Sequence, residues 1–225
     1  MPRTDPAREA LLTALEAVGV LIPLWDGIMI EETVTIAPGA TILPGTVLQG
    51  KTSVGAGSVI GPGSVLSDAV IGENCTVKNT YITGSTLENN VSIGPFSQVR
   101  PGCHIAAGCK IGDFVEVKNS NIGEKTAIAH LTYVGDTDCG SGVNFGCGVA
   151  IANFNGKEKF RTTIGNNAFL GCNTNLVAPV TVGAGAYTAA GATVTRDVPE
   201  DAMLIARAEP VIKPGLARRF RREKK

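Results

Sequence analysis

From Ile36 onward an aliphatic residue returns every six positions, at Ile42, Leu48, Val54, Ile60 and Leu66. With occasional steps of five, the series runs on through Ile71, Val77, Ile82, Leu87, Ile93, Val99, Ile105, Ile111 and Val117. It continues at Ile122, Ile128, Val134, Cys139, Phe145 and Ile151. After a gap of 13 residues it resumes at Ile164, Leu170, Leu176, Val182, Thr188 and Val194. Gly often follows at once, as in Ile60-Gly61 and Ile93-Gly94. Neither the 3.6 period of a helix nor the 2.0 period of a long strand fits. A period of six places one inward aliphatic side chain on each short strand and then a turn. Three such strands make a triangular coil of about 18 residues, with room for roughly nine coils between positions 36 and 199. Stacked coils bury the aliphatic columns and pair each backbone group with the coil above or below. The pattern predicts an all-β chain wound as a parallel β-helix over residues 31–199.

The interruptions are informative. The 13-residue gap holds the polar segment 154–163, FNGKEKFRTT, with Lys157, Lys159 and Arg161. It must loop out of a coil, and long loops on a rigid scaffold often carry function. At the other end, residues 1–30 read as an arm and lead-in. Asp5 can cap a helix whose first position is Pro6. Leu11, Leu12, Leu15 and Val18 then share one face and Gly19 ends the helix, which would cover the open end of the solenoid. Residues 200–225 read as an extended tail with Pro210 and Pro214, strongly basic from Arg218 to Lys225. Its role stays open between a solvated tail and a contact with an anion.

Composition narrows the class. The chain has 225 residues, 28 of them Gly, with aromatics at only 5 %, which suits many short strands joined by tight turns. Formal net charge is zero, so no nucleic-acid or membrane partner is expected. Nothing resembles a secretory leader or an apolar span of membrane length. The six cysteines form no C-x-x-C pair, so free thiols in the reducing cytoplasm are expected.

Only two histidines are present, His104 and His130. His104 reads as a structural residue at a turn. His130 lies in AIAHLTYVGD, three residues before Tyr133, with Arg100 and Lys118 one or two coils upstream. Asn144, then Asn153 and Phe154 at the mouth of the loop, follow. Such a group suits the transfer of an acyl group to an amine. The amine must lose a proton as it attacks, and a neutral imidazole with a reference pKa of about 6.5 is a fit base. A developing oxyanion needs a backbone N–H. A sugar phosphate needs Arg and Lys.

The strings IGPFSQVRPG, IGDFVEVKNS, AHLTYVGD, ANFNGKEKFRTTIG, NLVAPVTVGAGA and AAGATVTRDVP, between Ile93 and Arg207, are long and specific. They resemble the C-terminal acetyltransferase domain of the GlmU family, within the hexapeptide-repeat acyltransferases. GlmU proteins are bifunctional N-acetylglucosamine-1-phosphate uridyltransferases and glucosamine-1-phosphate acetyltransferases. Residues 20–92 resemble the family's earlier coils more loosely. The resemblance implies a left-handed coil and a cytoplasmic homotrimer with active sites between subunits. It implies direct N-acetylation of glucosamine-1-phosphate, or a close amino-sugar phosphate, by acetyl-CoA, with no acyl-enzyme and no metal. His130 would be the general base. Arg100, Lys118 and Lys159 would hold the sugar phosphate, and Tyr133 and Asn144 the sugar. Asn153 and Phe154 would line the pocket where the sugar meets the acetyl-CoA groove. Cys147, through its backbone N–H, would face the oxyanion, and Cys172, Ala190 and Arg207 would line the groove.

The chain departs from the family at three of these positions, with Phe154 for the usual Tyr, Cys147 for Ala and Cys172 for Ser. The backbone donor at position 147 survives that change, whereas a hydroxyl contact at 172 does not. The uridyltransferase's Gly-rich nucleotide loop has no counterpart here. Met1 leads straight into a capped helix, which favours a stand-alone acetyltransferase, served by a separate uridyltransferase, over an excised domain. Two rivals remain on the residues alone. An acetyltransferase of the same fold acting on a nucleotide sugar would need His130 but not the three cations together. A non-catalytic β-helix scaffold would need neither His130 nor the loop. A β-helix carbonic anhydrase would need a third metal-binding His.

Overall fold

The computed structural model describes residues 5–220. They wind into a three-sided parallel β-helix with one short α-helix, and the coil is consistent with the expected left hand. Two faces have ten strands each and the third has nine. Strands are two to four residues long and each pairs in parallel with the strand one coil away, as Val117 does with Val99 and Val134. Every position of the six-residue series points inward and is buried, from Ile36 to Val194. That stack of Ile, Leu and Val forms one continuous core. Small hydroxyl residues fill the inner corners and satisfy the turn carbonyls. Ser58 donates to the Gly72 carbonyl at 2.8 Å, and Ser85 to that of Arg100 at 2.9 Å. The coil therefore leaves few buried polar groups unpaired, as a water-free interior requires.

Pairing begins before residue 31 and continues past 199. Met29–Ile30 pairs with Val47–Leu48, and Met203–Leu204 with Tyr187–Thr188. The helix spans Pro6–Ala17, with the Asp5 carboxylate accepting from the Ala7 N–H at 3.1 Å. Leu12 is fully buried and Leu15 packs against the same core, so the helix closes the open end of the solenoid. Val18 departs from the expectation. It is the C-cap and 58 % exposed, because the chain turns away at Gly19, where φ is +94°. His104 also departs from it, lying on the strand His104–Ile105 rather than at a turn.

Three strand faces recur in each coil. The first carries Lys110–Asp113, Ala127–His130 and Asn144–Phe145. The second carries Glu116–Lys118, Tyr133–Gly135 and Ala150–Ala152, and the third Asn121–Ile122, Thr137–Cys139 and Thr162–Ile164. The segment between Ala152 and Thr162 leaves the coil as an exposed loop, closed by an antiparallel bridge between Phe154 and Lys159. No helix among the described residues is long and apolar enough to cross a membrane. Residues 221–225 of the basic tail lie outside the described residues.

Candidate active site

The corner joining the first face to the second repeats with each coil. Asp113, His130, Cys147, Cys172 and Ala190 occupy it in succession, one per coil. The hydrogen bonds fix this order: Gly148 N–H donates to the His130 carbonyl, Asn173 N–H to that of Cys147, and Gly191 N–H to that of Cys172. Arg207 closes the series by donating from Nη1 to the Ala190 carbonyl at 3.0 Å. The residue after each is left-handed, including Phe114, Leu131 and Asn173. That conformation is uncommon for bulky side chains.

His130 is exposed at this corner and its Nδ1 lies 2.8 Å from Asp113 Oδ1. An ionised carboxylate accepts, so Nδ1 carries a proton, and in the neutral ring Nε2 is the nitrogen with the free lone pair. The same bond holds the Asp113 carboxyl below the usual aspartate range. One coil on, the Cys147 N–H has no hydrogen-bond acceptor among the described residues.

Cations gather at the far edge of the second face. Arg100 and Lys118 occupy equivalent outward positions on neighbouring coils, since Val99 pairs with Val117. Arg100 Nη1 is 2.8 Å from Glu116 Oε1, which raises the guanidinium's pKa. Lys159 comes down from the loop to face Lys118, and its ammonium lowers the pKa of Lys118. Lys118, Lys159 and Arg100 set three positive charges against the two carboxylates of Asp136 and Glu116, an excess that favours a bound anion. Beneath them lies Asp136, 5 % exposed. Burial opposes its charge, but donors from Asn119 and Asn153 and the charges of Lys118 and Lys159 hold its pKa down. Tyr133 lies between the two edges. Its hydroxyl stands over Gly135, where a Cβ would strike both that hydroxyl and the Asn153 amide.

The loop stem is tied down by Arg161. Its Nε and Nη2 reach the two carboxylate oxygens of Asp138 at 2.8 and 2.6 Å, and Nη1 donates to the Asn119 carbonyl at 3.1 Å. The fork lowers the pKa of Asp138 and raises that of Arg161.

The bacterial transferase hexapeptide model matches residues 33–68, 84–119 and 161–196. Over 145 residues, 64 % of this chain, the bifunctional protein GlmU of Clostridium kluyveri is 54 % identical. The GlmU of Clostridium acetobutylicum is 51 % identical over 148 residues, or 66 % of this chain. The chain carries a GlmU-like hexapeptide-repeat domain. It spans about a third of those relatives, 32 % of each. Among solved structures, perosamine N-acetyltransferase from Caulobacter crescentus is 25 % identical with a TM-score of 0.45, covering 52 % of this chain and 53 % of its own. The Francisella novicida UDP-N-acetylglucosamine acyltransferase is 20 % identical with a TM-score of 0.48, covering 83 % of this chain and 67 % of its own.

Within the GlmU-like domain, Arg100, Lys118, Tyr133, Asn153 and Lys159 come together along the second face. His130, Cys147, Cys172, Ala190 and Arg207 form the adjoining corner. Asn144 does not join either group. It stands on the first face, in register with Ala127 and Phe169. Phe154 is exposed at the loop base, 57 % accessible. Sequence reasoning missed Asp113, Asp136 and the Asp138–Arg161 pair. Asp113 and Asp136 lie in strings already singled out, IGDFVEVKNS and AHLTYVGD, whereas Asp138 falls two residues beyond the second. A step of 17 residues, one coil, links Asp113 to His130 and Asp136 to Asn153. Among the described residues no group of three or more His, Cys, Asp or Glu is placed to hold a metal ion.

Proposed function

We propose that the chain is an acetyl-CoA-dependent N-acetyltransferase acting on glucosamine-1-phosphate or a close amino-sugar phosphate, in the synthesis of amino-sugar nucleotides. The observation that carries this reading is the arrangement along one face. Lys118 and Lys159 oppose each other beside Arg100 at one edge, and His130, oriented by Asp113, stands at the other. An amino sugar laid across Tyr133 would put its phosphate among the cations and its amine near His130. The names of the GlmU relatives add support.

In this reading the amine attacks the thioester carbonyl directly, and His130 Nε2 takes the proton it loses. The Cys147 N–H meets the oxyanion as it forms. The CoA thiolate leaves along the corner past Cys172 and Ala190 toward Arg207. That departure needs no covalent enzyme intermediate and no metal. The same reading makes the protein a cytoplasmic homotrimer, with a second copy closing over the shallow corner. Asn144, on the adjoining face, would then serve a site shared between copies. A separate uridyltransferase would take the product.

The test is thiol release from acetyl-CoA by the purified chain with glucosamine-1-phosphate, glucosamine-6-phosphate or UDP-glucosamine. Release specific to the 1-phosphate is expected. Release only with the nucleotide sugar would move the acceptor to that class. No release with any of them would mean a different acceptor or a scaffold.

A further inference from the structure

Four of the six thiols are interior. Burial raises the pKa of Cys75, Cys103 and Cys109, and pushes that of Cys139 up to about 12. Such thiols stay protonated and inert. Cys147 and Cys172 differ, being half-buried and exposed respectively. They are also neighbours in space although 25 residues apart in sequence. Phe145 and Leu170 are direct strand partners, and each cysteine follows its partner by two residues. The Asn173 N–H donates to the Cys147 carbonyl at 2.8 Å, which fixes the register at the corner itself. Gly148 and Asn173, the residues that follow, have φ of 74° and 55°, so both turns have the same form and project their side chains alike. Adjacent coils are about 4.8 Å apart. A disulfide accepts Cα separations of about 4.4–6.8 Å and Cβ separations of about 3.5–4.5 Å, so side chains that project alike need to lean together by only a few tenths of an ångström.

We propose that Cys147 and Cys172 are a paired-thiol oxidation site, closed by hydroperoxides into a disulfide that spans two coils. One thiolate attacks a peroxide oxygen, the O–O bond breaks, and a sulfenic acid and water (or an alcohol) result. The second thiolate attacks that sulfur, the S–O bond breaks, and hydroxide leaves to become a second water. Two thiols are oxidised and one peroxide is reduced. The bond lies one coil from His130, in the corner along which the CoA thiolate would leave. Its consequence for catalysis rests on the acetyltransferase reading; the disulfide itself does not. Closing it would draw the two side chains together along that corner, reshape the wall beside the thioester and hinder its seating.

The test treats the full chain with hydrogen peroxide, alkylates the remaining thiols and maps the peptides by mass spectrometry. A Cys147–Cys172 linked peptide, lighter by two hydrogens and lost on addition of dithiothreitol, is expected, with the other four cysteines alkylated. Cys172→Ser should yield no linked peptide. In wild type, thiol release from acetyl-CoA should fall on oxidation and return with dithiothreitol. A different pairing, oxidation of Cys172 alone, or no linkage would overturn the site. A linked peptide with unchanged turnover would overturn its effect on the groove. In a protein with no acetyltransferase activity the peptide map still reads the pair, so the two failures are distinguishable.

Discussion

His130 and Asp113 are 17 residues apart in sequence and joined by a 2.8 Å bond from one coil to the next. The carboxylate fixes which imidazole nitrogen is free. His130→Ala should lower kcat by about 10²–10⁴-fold, the usual worth of a general base. Its melting temperature should stay close to wild type, because the side chain is exposed. Asp113→Asn should lower kcat less and alter the pH–rate profile, as expected of a residue that acts through the imidazole. Steady-state kinetics across pH on both variants checks this, and full activity of His130→Ala near neutral pH would remove it as the base.

The cation cluster predicts an effect on KM. Removing one charged hydrogen-bonding partner costs about 1.5–3 kcal/mol, or roughly 10–150-fold in affinity. Arg100→Ala and Lys159→Ala should each raise the KM for the sugar phosphate in that range and leave the KM for acetyl-CoA unchanged. Inorganic phosphate should protect the wild type from thermal unfolding more than either variant.

Arg161 makes a different prediction, since it touches Asp138 and Asn119 rather than a substrate. Arg161→Lys keeps the charge but loses the fork. It should raise the sugar-phosphate KM by releasing the loop that carries Lys159. Hydrogen exchange should show faster opening confined to residues 154–161. Unchanged exchange there would separate the loop from this anchor.

Asp136 predicts a pH dependence of stability. Its folded pKa lies below the ordinary 3.8, so its stabilising contribution is present above that value. The contribution is lost as pH falls through the lowered folded pKa. Asp136→Asn should therefore destabilise by about 1–3 kcal/mol at neutral pH. The gap from wild type should close as pH drops below 3.8. Denaturant melts at several pH values read it; a gap independent of pH would assign the effect to packing.

Leu131 follows His130 with φ of 48° and is 60 % exposed. A left-handed conformation costs such a residue about 1–2 kcal/mol. Leu131→Asn should raise stability by roughly that amount, since Asn tolerates the region. A lower melting temperature would show that Leu131 makes a contact worth more than its strain.

The period of six was legible because an inward position favours an apolar residue whatever its neighbours in space, with Thr188 the one polar member of the series. Ile36 through Val194 follow from that single rule, and so does a loop in the 13-residue gap, although Thr162 and Thr163, expected in it, belong to the strand that follows. The helix was legible from its Asp5 cap and its own apolar face. Val18 was misplaced because a helical face continues only as far as the backbone does, and Gly19 ends it. The cations, His130 and the corner residues were legible as residue types and through the family strings. Their grouping was not, because it depends on where each corner falls. A coil of 17 residues in one turn and 18 or 25 in another brings Asp113 under His130 and Cys147 under Cys172. Local sequence alone determines which residues turn inward. Only the stacking of coils decides which outward residues share an edge, since that contact is made across coils between positions far apart in the chain.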